Sequence, residues 1–209
     1  MSTNYYTALR GHKVDYPNPG FNQIELDLNR TFPNDPPEAV EKYIDPLRNV
    51  LSTFVKRNPT IGYCQGMNFI VGNLLKYLKE DESFWVFIHI VENMLPIDYY
   101  SQMLGILTDQ RIFNNLLTKK FPKLVAHMQN HNYQLDLIAF QWFCTLFFNS
   151  VSHETEKFIL TAFLLKGQKI IIRIALLIVD YLKEKIFKAD DFVQIYQIFS
   201  EDPVKEMNP

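Results

Sequence analysis

Two short segments contain residue types that are suited to phosphoryl chemistry. Residues 24–31 read Ile-Glu-Leu-Asp-Leu-Asn-Arg-Thr, which places Arg30 three positions after Asp27. Residues 62–68 read Gly-Tyr-Cys-Gln-Gly-Met-Asn, which places Gln65 where a loop turns into an apolar helix. A permanently charged guanidinium and a neutral amide are the two side chains that GTP hydrolysis needs and that a slow GTPase often lacks.

The first segment offers an arginine beside a carboxylate. A guanidinium donates in a planar fork that matches phosphoryl oxygens, whereas lysine would supply only a point charge. If the segment is helical, Ile24 faces the core and Asp27 holds Arg30 in one rotamer. The plainer alternative is an exposed ion pair worth about 0.3–0.5 kcal/mol. Taken alone, the segment favours that alternative.

The second segment offers a glutamine at a helix start. Free backbone N–H groups and the positive end of the helix dipole favour a phosphate nearby. A neutral amide can accept a hydrogen bond from water and donate one to phosphate, so it can orient an attacking water. The alternative is that Gln65 caps the helix, with Tyr63 and Cys64 as packing residues. Taken alone, this segment also favours the plainer alternative.

The composition is that of a globular chain. Of its 209 residues, 47% are hydrophobic and 21% are charged, which fits one large domain or two small ones. The formal net charge of −2 does not suggest a nucleic-acid-binding protein. Cys64 and Cys144 lie in apolar contexts and are predicted to be buried thiols in a reducing compartment. The most apolar window, 170–182, is too short and too charged to span a bilayer.

The elements that must position these residues are predicted to be helices of about 10 to 16 residues, with no sheet. Apolar stripes with helical spacing cover 47–55, 67–78, 84–91, 124–128, 137–147, 158–163, 170–178 and 192–199. Ser152 and Asp190 are predicted N-caps and Gly167 a C-cap, while Lys119 and Lys120 are assigned to a turn. The proline-rich residues 1–45 are predicted to be extended around one short helix near Phe21–Arg30.

Together the two segments resemble the TBC domain, the helical module of Rab GTPase-activating proteins. The matching residues are Ile24, Asp27, Arg30, Thr31 and Pro33, followed by Gly62, Tyr63, Gln65, Gly66, Met67 and Asn68. Further matches are Phe84-Trp85, Gln141-Trp142-Phe143, and Gly167 with Arg173. The resemblance covers about residues 20–185, and it implies an irregular, multi-helix, all-α fold.

The resemblance also implies a mechanism. Arg30 would act in trans as an arginine finger, and Gln65 would orient the attacking water as a glutamine finger. Asp27 and Tyr63 would hold these two side chains, with Ile24, Thr31, Gly66 and Asn68 also at supporting positions. The partner would be a Rab in its GTP form, which carries the GTP and Mg²⁺. The chain would then need no cofactor or metal of its own, and it would activate a GTPase rather than be an enzyme itself.

Organisation and location follow from the same resemblance as expectations. Residues 1–20 are expected to be a leader that stands for a truncated or degenerate N-terminal subdomain, and residues 21–209 the TBC-type domain. Where the family has a late Trp-Asp pair, this sequence has Leu160-Thr161, which predicts altered core packing. The expected role is in vesicle trafficking, in the cytoplasm and at vesicle membranes through the Rab.

Other functions remain open at this stage. A helical module that binds a Rab or another partner without accelerating hydrolysis is the main alternative. A structural α-solenoid is disfavoured because no fixed repeat period occurs. No GxxxxGK[ST] or GxGxxG motif occurs, so the chain is not expected to bind nucleotide alone. The aromatic loop 95–100 could equally meet a partner or cover the core.

Overall fold

The computed structural model describes residues 3–13, 18–33 and 35–200. Within these ranges the backbone forms eleven α-helices and a short π-helical segment, and it contains no β-strand. The helices are α1 Thr3–Gly11, α2 Pro19–Leu28, α3 Pro37–Arg57, α4 Met67–Leu75, α5 Glu80–His89, α6 Leu104–Lys120, α7 Pro122–Asn130, α8 Asp136–Thr145, α9 His153–Lys166, α10 Lys169–Phe187 and α11 Phe192–Ser200. The π-helical segment Ile90–Met94 follows α5. The predicted all-α fold is confirmed.

The N-terminal part is more helical than its prolines suggested. The short helix predicted near Phe21–Arg30 is confirmed as α2, but α1 was not predicted, and α3 already begins at Pro37. Helix α1 is fixed by distant residues, because the buried Tyr6 packs on Phe84 with ring centroids 4.8 Å apart. Proline at the first position of a helix costs no hydrogen bond, since that N–H would lack an intrahelical partner anyway. The proposed boundary at residue 20 stays a prediction.

Helix α6 was also not predicted. Its buried positions include Gly105 and Asp109 beside Ile106, Phe113 and Leu117, so the inward face is not a continuous apolar stripe. Its outward positions include several exposed aliphatic residues, Leu104, Leu107, Ile112 and Leu116. Apolar side chains on both sides hide the helical period. The prediction of a turn at 119–120 was wrong, because both lysines lie in the last turn of α6.

The chain divides into two units, of which unit 1 comprises Met1–Met103. The long helix α3 is central in this unit and packs against α1, α2, α4 and α5. Its inward face supplies Leu47, Val50, Leu51 and Phe54, all fully buried. Unit 1 contains both segments that the sequence analysis singled out.

Unit 2 comprises Leu104–Pro209, and its central element is α10, which packs against α6, α7, α8, α9 and α11. The predicted caps of α9 are confirmed: the Ser152 side chain accepts from the Thr155 N–H, and Gly167 closes the helix with φ 72°. The predicted N-cap Asp190 was wrong by one residue. Asp191 accepts from the Gln194 N–H at 2.8 Å, which is the contact expected of an N-cap.

Two further expectations concern burial. Cys64 and Cys144 are both buried thiols, as predicted. The apolar window 170–182 lies inside α10, and among the described residues no helix has the length and apolarity needed to cross a membrane.

Candidate functional site

Arg30 lies in the turn that directly follows α2. This helix begins at Pro19, where the side chain of Asn18 accepts from the Gly20 N–H at 2.8 Å. Ile24 is fully buried, as predicted, and it fixes the rotation of α2 on the core. The Arg30 side chain remains 47% exposed. The helix therefore presents the guanidinium at its C-terminal end while its other face is anchored.

Gln65 lies in the connection between α3 and α4. Gly62 and Gly66 have φ of 66° and 113°, which glycine adopts without the steric cost that other residues would bear. Gly66 is the N-cap residue of α4, so Gln65 precedes the cap and is not the capping residue itself. Its side chain is exposed. This position favours the functional interpretation over the capping alternative.

A buried carboxylate joins the two segments. Asp27 is fully buried, and its Oδ1 lies 2.5 Å from Nη2 of Arg30. The same oxygen accepts from Nε2 of Gln23 at 2.9 Å, and Oδ2 accepts from the Tyr63 hydroxyl at 2.6 Å. A buried charge is tolerated only when it is paired and hydrogen-bonded, and here donors reach both oxygens. The pair with Arg30 is therefore not the fully exposed contact of the plainer alternative.

Tyr63 connects the glutamine segment to this carboxylate. Burial raises the pKa of the Tyr63 phenol well above its usual range, and the hydrogen bond to Asp27 raises the pKa further. Both effects disfavour the phenolate, because it would place a second negative charge beside Asp27. Tyr63 is therefore a neutral donor throughout the physiological pH range.

Asn68 forms a second connection between the segments. It is fully buried, and its Nδ2 donates to Oγ1 of Thr31 at 3.0 Å. Its Oδ1 accepts from the Gly66 N–H at 3.1 Å and lies 3.1 Å from the Tyr63 hydroxyl oxygen. Thr31 in turn donates to the Asp27 carbonyl at 2.8 Å. The supporting residues proposed from the sequence, apart from the apolar Ile24, thus belong to one continuous hydrogen-bond network.

Two glycines allow the segments to approach each other closely. A Cβ on Gly20 would lie 3.2 Å from Cβ of Tyr63. A Cβ on Gly72, in α4, would lie 2.6 Å from Cγ2 of Thr31 and 3.1 Å from the Phe32 ring. Helix α2 therefore lies close to the glutamine segment at Tyr63, and the arginine segment lies close to α4 at Thr31.

Sequence reasoning missed Gln23, Gly20 and Gly72. The spacing of Gln23 and Asp27, i and i+4 on one helix, was a local signal that could have identified the first contact. The two glycines gave no such signal, because their neighbours Tyr63 and Thr31 are distant in the chain.

The aromatic loop 95–100 covers the core in part, and its contact with a partner stays a prediction. Leu95, Tyr99 and Tyr100 are buried, whereas Ile97 is 90% exposed. Farther along, the sulfur of Met103 lies 4.0 Å from the sulfur of Cys64. The stretch that follows this loop therefore packs against the residue that precedes Gln65.

The site thus combines an exposed guanidinium with an exposed amide, on two segments that a buried polar network joins in an all-helical fold. The resemblance to the TBC domain predicted catalytic roles for Arg30 and Gln65, and those roles stay predictions. A family model of the Rab-GTPase-TBC domain matches residues 3–187, and the chain belongs to this family.

Individual relatives agree with this assignment. TBC1 domain family member 2B of Mus musculus is 40% identical over 200 residues, which cover 94% of this chain and 21% of the relative. TBC1 domain family member 2A of Homo sapiens is 42% identical over 183 residues, which cover 86% of this chain and 20% of the relative. The chain thus spans about a fifth of the length of these curated relatives.

Solved structures share the fold. The crystal structure of the Chlamydomonas flagellar RabGAP TBC domain superposes with a TM-score of 0.82 at 27% identity, covering 95% of this chain and 67% of that one. The Ypt/Rab-GAP domain of Gyp1p superposes with a TM-score of 0.78 at 20% identity, covering 98% and 74%. The second similarity concerns the fold alone.

Proposed function

We propose that this chain is a GTPase-activating domain for a Rab-family small GTPase in its GTP form. The observation that carries the proposal is the exposure of Arg30 and Gln65 on segments joined through Asp27. Membership of the Rab-GTPase-TBC family supports it. The activity would be exerted in the cytoplasm, at those vesicle membranes where the Rab resides.

Arg30 supplies charge to the partner's reaction. Its guanidinium neutralises the negative charge that develops on the γ-phosphoryl group, while the Rab carries the GTP and Mg²⁺. Asp27 lies against Nη2, and the guanidinium has five N–H groups in all, so it can also donate to phosphoryl oxygens. Because Asp27 already restricts the rotamer of Arg30, less conformational entropy is lost when the partner docks.

Gln65 supplies the second function. Its amide oxygen accepts from the attacking water and its NH₂ group donates to a phosphoryl oxygen, which holds the water in line. Tyr63 and the N-cap Gly66 fix the backbone on either side of this residue. The two side chains together provide the charge and the water geometry that a slow GTPase lacks.

The test is phosphate release from a panel of Rab proteins loaded with GTP. The wild-type chain should stimulate at least one Rab, and Arg30→Ala and Gln65→Ala should each remove nearly all stimulation, up to about 10³- to 10⁵-fold for the arginine. Arg30→Lys should recover little, because lysine lacks the planar fork.

Arg111→Ala is the matched control, since Arg111 is an exposed arginine on α6 outside the network. It should leave the stimulated rate unchanged. Full activity of Arg30→Ala would refute the catalytic assignment. Binding of a GTP-loaded Rab without any stimulation would identify the chain as a silent helical binding module instead.

A further inference from the structure

We propose that Asn68 and Thr31 form a positioning pair that fixes Arg30 and Gln65 relative to each other. This inference rests on the proposed GTPase activation. It assigns a specific task to one buried amide: setting the separation of two side chains that must reach one nucleotide together.

The side-chain amide of Asn68 forms hydrogen bonds to both segments. Its Nδ2 donates to Thr31, the residue directly after Arg30, at 3.0 Å. Its Oδ1 accepts from the N–H of Gly66, the residue directly after Gln65, at 3.1 Å. The planar amide of Asn68 therefore connects the two segments. It bonds to the residue directly after Arg30 and to the residue directly after Gln65.

The direction of every bond in this bridge is determined. The single hydroxyl proton of Thr31 is donated to the Asp27 carbonyl at 2.8 Å, so the oxygen meets Asn68 as an acceptor. Gly66 offers an N–H, which can only donate. A flipped Asn68 amide would bring two donors together at Gly66 and two acceptors together at Thr31. Only one orientation satisfies both contacts in this fully buried place.

Packing against α4 also holds Thr31 next to Asn68. Its Cγ2 lies against Gly72 of α4, where even a single added carbon would come within 2.6 Å. The hydroxyl and methyl group of Thr31 are thus both engaged by α4, the helix whose N-cap follows Gln65. Since a misplacement of about 1 Å can cost on the order of a hundredfold in rate, such a bridge bears directly on catalysis.

The first experiment uses the free protein and needs no GTPase. Thr31→Val removes the acceptor for Asn68 at nearly constant volume, and Thr31→Ser keeps the hydroxyl as a matched control. NMR hydrogen exchange at the Gly66 amide should be faster in Thr31→Val, because Asn68 is then free to rotate. It should stay close to wild type in Thr31→Ser. Equal exchange in both variants would overturn the inference.

The second experiment measures kcat and KM for a GTP-loaded Rab that the wild type stimulates. Thr31→Val should lower kcat by about ten- to a hundredfold and leave KM within about twofold, since the docking surface is intact. Thr31→Ser should recover most of kcat.

The outcomes separate the two proposals. No stimulation of any Rab by the wild type would refute the proposed function, while the exchange result at Gly66 would still report on the bridge. Faster exchange of the Gly66 amide in Thr31→Val with an unchanged kcat would show that Asn68 and Thr31 stabilise the structure only. That result would overturn the positioning role. If Thr31→Val does not fold, Thr31→Ala replaces it, because alanine removes the hydroxyl and leaves more room beside Gly72.

Discussion

At the scale of single residues, the buried Asp27 carboxylate is the centre of the site. Gln23 and Tyr63 donate hydrogen bonds to it, Arg30 forms an ion pair with it, and no part of it is exposed. A hydrogen bond to a buried charge contributes more than one between neutral groups, because its removal leaves the charge poorly solvated. The residues around Asp27 should therefore affect both the stability and the activity of the chain.

The phenol of Tyr63 gives the clearest stability prediction. Tyr63→Phe removes one of the two hydrogen bonds that the Asp27 carboxylate accepts beside its ion pair with Arg30, so it should lower the free energy of unfolding by about 1.5–3 kcal/mol at pH 7. Urea denaturation followed by circular dichroism measures this. Tyr181→Phe is the control: this exposed tyrosine should change stability by less than about 0.5 kcal/mol. A Tyr63→Phe variant as stable as the control would contradict the role assigned to this bond.

The same phenol predicts a pH dependence. The pKa of Tyr63 is raised above the ordinary value of 10.0 by burial and by Asp27, so the folded state holds this proton more tightly than the unfolded state does. Its contribution to stability is therefore complete below about pH 10 and is lost as the pH rises above that value. The stability difference between wild type and Tyr63→Phe should shrink between pH 9 and about pH 11.

Individual residues differ in how far the sequence could identify them. Arg30, Asp27 and Gln65 could be singled out because their chemistry and local spacing are visible in short segments. The burial of Ile24 also followed from helical spacing. The bond from Tyr63 to Asp27 was not predicted, because the family resemblance paired Tyr63 with Gln65 and nothing local in the sequence indicates a contact between residues so far apart.

At the scale of elements, the contact between α4 and the turn after α2 holds the two segments together. Gly72 is the point of closest approach, and both Thr31 and Phe32 fill the space where its side chain would be. A bulkier residue there must push the turn away from α4, and the turn carries Arg30 on its other side. Helix packing and site geometry are thus coupled at one position.

Gly72→Ala tests this coupling. The added Cβ would lie 2.6 Å from Cγ2 of Thr31, which is too close, so overpacking should cost about 1–3 kcal/mol of stability. Stimulated hydrolysis should fall as well. Gly11→Ala is the control, since nothing lies within 4 Å of a Cβ at Gly11 and alanine favours a helix. Thermal unfolding and phosphate release measure both effects, and equal behaviour of the two variants would contradict the coupling.

Element boundaries show why sequence periodicity succeeds for some helices and fails for others. Helix α3 was visible over residues 47–55 because all of its buried positions except Thr53 are apolar. Helix α6 was not, because Gly105 and Asp109 occupy inward positions. Helix α1 was missed because long-range contacts, such as the hydrogen bond from Tyr6 to Glu80 at 2.6 Å, are not encoded locally. Where tertiary contacts determine whether a helix forms, local pattern and propensity do not predict it.

At the scale of the whole molecule, the proposed chemistry and one buried acid fall in different units. Every residue of the proposed site lies in unit 1, between Gly20 and Gly72. Unit 2 instead contains Asp109, a buried carboxylate on α6 that accepts from Nε2 of Gln168 at 2.8 Å. A substitution at Asp109 should therefore change stability without changing the chemistry.

Asp109→Asn is the test of this separation. Burial raises the pKa of Asp109 above its ordinary value of 3.8, against the opposing effect of the bond from Gln168, so the folded state favours the protonated acid. As the pH rises from the unfolded-state pKa of 3.8 through the higher folded-state pKa, the folded state loses stability relative to the unfolded state. At pH 7 the buried charge is therefore a net cost. Asparagine removes the charge and keeps an oxygen for Gln168.

The variant should therefore have a higher urea midpoint than wild type at pH 7, and the gain should vanish near pH 3, where Asp109 is protonated in both states. Its kcat for stimulated hydrolysis should equal that of wild type, because Arg30 and Gln65 are untouched. Asp180→Asn, in a partly exposed pair with Lys183, should change the midpoint little at either pH. A lower midpoint for Asp109→Asn at pH 7 would mean that the carboxylate is stabilising where it lies. A fall in kcat would mean that unit 2 contributes to the reaction.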